Sequence, residues 1–492
     1  MTAAPRPLST RQLFQQAVAT VRTWPLNPPD RPPAFAFDHS GPGAVAGGEG
    51  PILGLDGDLW DTAARLRDGR TTVAEVAEAT EARIEAHSGE FGAFEHRADC
   101  GDSARALDAE ARRGSFRGSL HGLPISVKDI IDVAGMPTTG SSVALAPRLA
   151  RQDATVVGRL RAAGALLVGK VATHEFALGV TTPQARSPWD AERVPGGSSG
   201  GSAISLVTGM ALGSLGTDTR ASIRVPAALC GLVGFKPSHG LVPTDHWLTL
   251  SWSLDHFAPM ARSVRDIALM MDVLVDRAGA FSGALPGSLA GRRIGYSEAT
   301  LAGAQPEVAA RFHESLDAMV AAGASVVRLA GPDAEDYALA HAAGMIISRA
   351  EAAHFHQEAG TVIDRCIPEV RDQLSEALEL KATDYVRALR LRGQLRDRML
   401  ACMVGIDALA MPSSKVVAPL RTEADQYLLV LSENCIPWSL VDFPAISVYM
   451  GQAHGFPSGL QLVAGPGQDA LLLSIAHGFE RAAPTPPIWS PK

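Results

Sequence analysis

Only five cysteines occur in 492 residues, Cys100, Cys230, Cys366, Cys402 and Cys435. They are odd in number, far apart and never form a Cys-x-x-Cys pair, which argues against a disulfide framework and against structural zinc. Long apolar runs are missing too. None reaches the roughly 18 residues that span a bilayer, and the N-terminus, which passes Pro5 and Pro7 among polar residues, lacks the apolar core of a signal peptide. No run of Lys and Arg is long enough to follow a phosphate backbone, and 44 basic against 52 acidic residues leave a formal charge of -8, so nucleic acid is an unexpected partner. His354 and His356 are two apart on an expected helix and point to different faces, which disfavours a metal site. The expectation is a cytoplasmic protein with no membrane contact, no metal and no cofactor. Its expected partners are a small-molecule substrate and, at most, a second copy of the chain.

What is present is a large stock of core residues. Hydrophobic residues make up 46% of the chain and charged residues 20%, enough for two domains or one large α/β domain. Residues 9 to 22 read as a short amphipathic helix, followed from Trp24 to Pro51 by a stretch dense in Pro and Gly, an irregular arm or linker. This assigns residues 1–52 to an N-terminal arm and 53–492 to the folded unit. From Asp61 to Arg113 the apolar spacing is helical, with Val73, Val76 and Ile84 on the inner faces. Alternation then predicts a strand at Ile125-Ser126-Val127-Lys128. Between Ala154 and Val180 the pattern reads helix, the strand Ala165 to Gly169, and a second helix, which is α/β organisation. Residues 306 to 403 are helical except near Ala324 to Leu329, and form a cover or wall for a site. The tail carries short strands at Ala445 to Val448 and Gly459 to Leu462 and a closing helix from Leu471 to Arg481. No internal repeat is present.

Residues 196 to 202 read Gly-Gly-Ser-Ser-Gly-Gly-Ser, and Ala203, Leu206, Val207, Met210 and Ala211 follow at the spacing of one helix face. A glycine-rich loop that opens a buried helix offers free backbone N–H groups suited to an anion or an oxyanion. A phosphate loop would need a Gly-Lys-Ser/Thr ending, which is missing. The nucleophile elbow of an α/β-hydrolase esterase fits Gly196-Gly197-Ser198-Ser199-Gly200 formally, with His454 or His477 as base, but an elbow follows an apolar strand. This loop follows Ser187-Pro188-Trp189-Asp190-Ala191-Glu192-Arg193-Val194-Pro195. A plain flexible linker is the remaining reading, weakened by the amphipathic helix directly behind the loop.

Two further segments frame the loop. Downstream stand Gly216-Thr217-Asp218-Thr219-Arg220-Ala221-Ser222-Ile223-Arg224-Val225-Pro226-Ala227 and Cys230-Gly231-Leu232-Val233-Gly234-Phe235-Lys236-Pro237; upstream stands Gly122-Leu123-Pro124-Ile125-Ser126-Val127-Lys128-Asp129. In this order the three resemble the amidase signature family, whose mark is a Gly/Ser loop followed by an Asp-Thr-Gly-Gly-Ser-Ile-Arg segment. Ser222 follows Ser198 by 24 residues, the separation that family uses for its two catalytic serines. The resemblance runs from about residue 60 to 285 and resumes from 404 to 481. It implies one large α/β/α domain around a mixed, mostly parallel sheet.

The resemblance implies that Ser222 is the nucleophile, Ser198 a bridging serine on a cis peptide after Gly197, and Lys128 the base of a Ser-Ser-Lys triad. Chemistry agrees with that assignment. A serine hydroxyl needs a positioned base, directly or through a relay, and a lysine serves only when it is neutral part of the time. Lys128 ends an apolar strand, where desolvation disfavours the ammonium. Taken alone it reads as an ordinary lysine paired with Asp129 or reaching solvent, and Ser198 and Ser222 as local loop and cap hydroxyls. The implied reaction is acyl transfer on a carboxamide, anilide or carbamate. Backbone N–H groups of Thr219, Arg220, Ala221 and Ser222 hold the oxyanion, at about 3 kcal/mol for a good donor, with Gly197 and Ser199 beside the substrate. Asp218 and Arg224 read as a buried pair or caps that fix the loop, and Cys230 as packing.

One departure is specific to this chain. Arg220 and Ala221 replace the glycine pair before the nucleophile. Where either position needs positive φ, a side chain costs on the order of 1 kcal/mol. Arg220 either points outward to pair on the surface or brings a cation to the acyl or leaving group. The same departure weighs against a tRNA-dependent amidotransferase subunit, the alternative reading within the family. Trp247, Trp252, Phe257 and Trp438 are candidates for an aromatic wall or for ordinary core.

Overall fold

The computed structural model describes residues 8–26, 58–146, 148–285 and 288–490. Most of the expected Pro/Gly-rich arm, and the expected start of the folded unit near Leu53, lie outside the described residues.

The amphipathic stretch near the N-terminus forms α1, Thr10–Thr23. Ser9 and Gln12 close it with a reciprocal capping box, and Phe14, Ala17 and Val21 are its buried face. The helical spacing from 61 onward resolves into α2 (Leu59–Arg67), α3 (Val73–Phe91) and α4 (Gly101–Arg112). A short strand interrupts it, β1 (Phe94–Arg97). The alternating run gives β2, Pro124–Lys128. After α5 (Thr155–Ala162) comes β3 (Leu166–Val171). The helix expected behind β3 does not form: a single 3-10 turn spans Glu175–Ala177, with Phe176 and Ala177 at positive φ, and the chain passes directly to the Gly/Ser loop and α6 (Gly200–Val207).

Strand β4 (Gly213–Asp218), α7 (Arg224–Cys230), β5 (Val233–Lys236), β6 (His256–Ala261) and α8 (Val264–Leu274) follow. The rest comprises β7 (Arg293–Tyr296), α9 (Pro306–Ala321), β8 (Ser325–Arg328), α10 (Ala334–Glu358), α11 (Pro368–Ala377), α12 (Ala382–Cys402) and β9 (Ala408–Pro412). Two short helices, α13 (Leu428–Ser432) and α14 (Ile436–Leu440), lead to the hairpin β10 (Ala445–Ala453) and β11 (Phe456–Val463), and α15 (Asp469–Ala482) packs behind it.

Eleven strands make one mixed sheet in the order β1-β3-β2-β4-β6-β5-β10-β11-β9-β7-β8. Parallel pairing is confined to β3-β2-β4 on one flank and β9-β7-β8 on the other. The strands between run antiparallel, because the β10–β11 hairpin and the reversal from β5 to β6 fill the centre. Antiparallel pairs therefore outnumber parallel ones, and the sheet is less parallel than the resemblance implies.

Lys128 ends β2 and Asp218 ends β4. The two strands are parallel neighbours with Val127 opposite Leu215, so both residues emerge at the same, carboxyl-terminal edge. In open α/β sheets that edge is where ligands bind. Among the described residues no helix is long and apolar enough to cross a membrane, and no group of three or more His, Cys, Asp or Glu is placed to hold a metal ion.

Candidate active site

Lys128 is fully buried. Its Nζ lies 2.6 Å from Ser198 Oγ and 2.8 Å from Thr217 Oγ1 on the neighbouring strand. Asp129, next in sequence, is engaged elsewhere: its carboxylate meets Lys170 Nζ at 3.0 Å, and Lys170 also donates to the carbonyl of Pro137 and the hydroxyl of Thr138. Burial pushes Lys128 down to about 7, against the pull of the Asp255 and Asp218 carboxylates. A lysine so placed exchanges its proton in the neutral range, which an exposed one does not.

Ser198 follows a cis peptide bond with Gly197. Its carbonyl accepts from the His174 N–H at 3.0 Å and from the Thr182 hydroxyl at 3.2 Å. There is no room for a side chain at 197, since a Cβ would come within 2.8 Å of the Thr181 backbone nitrogen. The next residue ties the two motifs together: the Ser199 N–H donates to the Ser222 carbonyl at 3.2 Å. Ser222 is 4% exposed, at the edge of the buried cluster. Among the described residues, the N–H groups of Thr219, Arg220, Ala221 and Ser222 donate to no protein acceptor, leaving four donors at the turn that carries Ser222.

That turn is clamped from both ends. Asp218 receives two bonds from Arg224, 2.9 Å each, and both side chains are fully buried. Burial alone would raise Asp218, but the Arg224 charge and hydrogen bonds hold it below the usual carboxylate range. Arg224 also donates to Gln461 at 2.7 Å, Ser439 at 2.6 Å and the Cys435 carbonyl at 2.9 Å. On the other side the Thr219 hydroxyl donates to Asp255 at 2.6 Å, while the second Asp255 oxygen accepts from Trp247 Nε1 and the N–H groups of Leu250 and Ser251. The histidines considered as elbow bases sit elsewhere: His454 pairs with Glu307 and His477 with Glu480.

The protein-family model for the amidases matches residues 75–473. The chain belongs to the amidase family. Among curated relatives of this amidase, a subunit of the glutamyl-tRNA(Gln) amidotransferase of Chloroflexus aggregans is 36% identical, over 85% of this chain and 94% of its own length. Among solved structures, a crystal structure of an amidase superposes with a TM-score of 0.80 at 34% identity, covering 87% of this chain and all of that one. The native peptide amidase of Stenotrophomonas maltophilia gives 0.75 at 26% identity, over 88% and 99%.

Arg220 does not turn outward to pair on the surface. Its guanidinium leans on α10, with Nη2 2.8 Å from His341 Nδ1 and Nη1 2.8 Å from Met345 Sδ. Of the four candidate aromatics, Trp438 and Phe257 are buried core and Trp252 is exposed. Trp247 is half-buried and serves Asp255. Thr217, Asp255 and His341 are not legible in the sequence as site residues, although Thr217 and Asp218 belong to the same quoted motif. Strand alternation puts 217 on one side and 218 on the other, and only the neighbour β2 reveals that the 217 side faces Lys128.

Proposed function

We propose that this amidase-family protein is a cytoplasmic serine hydrolase that cleaves the C–N bond of a small carboxamide, anilide or carbamate through an acyl-enzyme on Ser222. The contact of 2.6 Å between Lys128 Nζ and Ser198 Oγ carries this reading, because it joins a lysine with a pKa of about 7 to the hydroxyl that bridges toward the nucleophile. Neutral Lys128 takes the Ser198 proton as Ser198 takes that of Ser222, and the Ser222 oxygen adds to the carbonyl carbon. The free N–H groups of residues 219–222 receive the oxyanion. As the tetrahedral intermediate collapses, Ser198 returns a proton to the leaving nitrogen. Water, deprotonated by the same relay, then attacks the acyl ester and frees Ser222. Small esters follow the same path.

The test is turnover of aliphatic amides, anilides and carbamates by the purified chain beside its Ser222→Ala variant. Turnover that survives in the variant would end the assignment. A second reading, one component of an amidotransferase complex, is supported by the 36% identity to a glutamyl-tRNA(Gln) amidotransferase subunit. Copurification with partner proteins would favour it; an active, solitary chain would favour the hydrolase.

A further inference from the structure

Helix α10 presents His341, Met345 and Arg349 at spacings of four residues, hence on one face, and that face meets Arg220 from the nucleophile turn. The group is unusual in what it lacks. Arg220 Nε, His341 Nε2 and Arg349 Nε are all buried from solvent and all without a hydrogen-bond partner. Arg349 is only 7% exposed, and its one bond from Nη1 goes to the neutral Ser348 hydroxyl. Arg220 spends its other two nitrogens on an imidazole and a thioether, neither of which carries negative charge.

Because His341 Nδ1 accepts from Arg220, its own proton sits on Nε2, so all three orphaned atoms are N–H donors. Buried donors are paired almost without exception in folded proteins, and buried cations are paired with anions. Here burial lowers both Arg220 and His341 well below their usual values, and the neighbouring Arg349 charge pushes in the same direction. The acid that acts on Arg349 is Glu369, which lies 3.4 Å from His174 on the far side. Two guanidinium groups thus crowd together beside the nucleophile turn without a carboxylate of their own.

We propose that the substrate supplies it: Arg220 and Arg349, with His341 as a neutral donor, form a carboxylate subsite, and the amide cleaved at Ser222 carries a carboxylate within a few bonds of the reacting carbonyl. This rests on the serine-hydrolase reading and narrows it to monoamides of small dicarboxylic acids or compounds of like charge. A guanidinium grips a carboxylate through paired N–H bonds, and such a bond made in a desolvated site discriminates strongly against an uncharged group of the same size.

The experiment compares malonamate, succinamate and glutaramate with the corresponding uncharged diamides. At one chain length or more the anion is expected to exceed its diamide in kcat/KM by at least about tenfold, the worth of one such discriminating bond, and Arg349→Met to remove most of that preference. Equal cleavage of anion and diamide, or a preference that survives in Arg349→Met, overturns the subsite. Binding is read separately from turnover as the rise in Tm produced by succinate and glutarate. A rise in wild type that is lost in both Arg349→Met and Arg220→Gly supports the subsite. No rise, or one that both variants retain, refutes it. Should Ser222 prove unreactive and every amide inert, the hydrolase reading fails, and the Tm comparison still decides whether the anion site exists. The second variant guards against misfolding of the first.

Discussion

Asp129 salt-bridges Lys170 at 3.0 Å and leaves its sequence neighbour Lys128 without a direct carboxylate partner. The division of labour between the two lysines governs the acid–base behaviour of the site. Lys170 is also depressed by burial, but it keeps an anion in contact; Lys128 has only the more distant charges of Asp255 and Asp218 to hold its proton.

The pH profile follows. A base must be neutral to act, so kcat/KM is expected to rise as pH climbs through about 7, the value to which burial brings Lys128, and to level off above it. Lys128→Ala is expected to lose about 10²- to 10⁴-fold in rate, the usual worth of a positioned base. Steady-state rates measured from acid to alkaline pH check both, and a near-normal rate in Lys128→Ala would refute the base assignment.

Thr217 offers a finer test. Its hydroxyl accepts from Lys128 at 2.8 Å and so favours the ammonium form. Thr217→Val is expected to move the acid limb to lower pH, since the charged form loses an acceptor, and to lower the plateau by roughly two- to tenfold, in proportion to a hydrogen bond of about 0.5–1.5 kcal/mol that positions the base. A limb that moves upward would contradict this account.

Covalent chemistry is directly visible. A sulfonyl fluoride or organophosphorus reagent is expected to add one label, on the peptide containing Ser222, and Ser222→Ala to take none. Mass spectrometry after digestion locates it. Activity is expected to be indifferent to EDTA; loss that zinc reverses would point to another mechanism.

Arg224→Met leaves the Asp218 carboxylate buried without its partner. Breaking one side of a buried pair costs about 3–5 kcal/mol, and the four further acceptors of Arg224 make the upper end the expected outcome. Urea unfolding measures it. A loss below about 1 kcal/mol would show that the pair does not brace the nucleophile turn.

How much of this is legible in the sequence depends on how local each signal is. Strand β2 and the α6 helix carry complete patterns, alternation in one and one-face spacing in the other, and both form within a residue or two of expectation. Strand β1 is hidden because its residues, Phe-Glu-His-Arg, are those of a half-exposed edge with one neighbour. The missing helix after β3 has a related cause. Phe176 and Ala177 adopt positive φ, a choice imposed by the packed loop, with Phe176 wedged beside His356, and no local propensity announces it. The inward turn of Arg220 is equally invisible, since its contacts His341 and Met345 lie more than 120 residues away on a helix buried along most of its length, where polar residues do not mark a face.

The bracing of Arg224 by Cys435, Ser439 and Gln461 also sets a timetable for biosynthesis. Lys128, Ser198 and Ser222 all leave the ribosome in the first half of translation, yet the side chains that hold the nucleophile turn in shape belong to α14 and to the hairpin at the middle of the sheet. Until residues near 461 have emerged, β5 lacks its neighbour β10 and Arg224 lacks three of its acceptors. A nascent chain therefore carries its reactive serine unarmed, and competence arrives with nearly the last strand to be made.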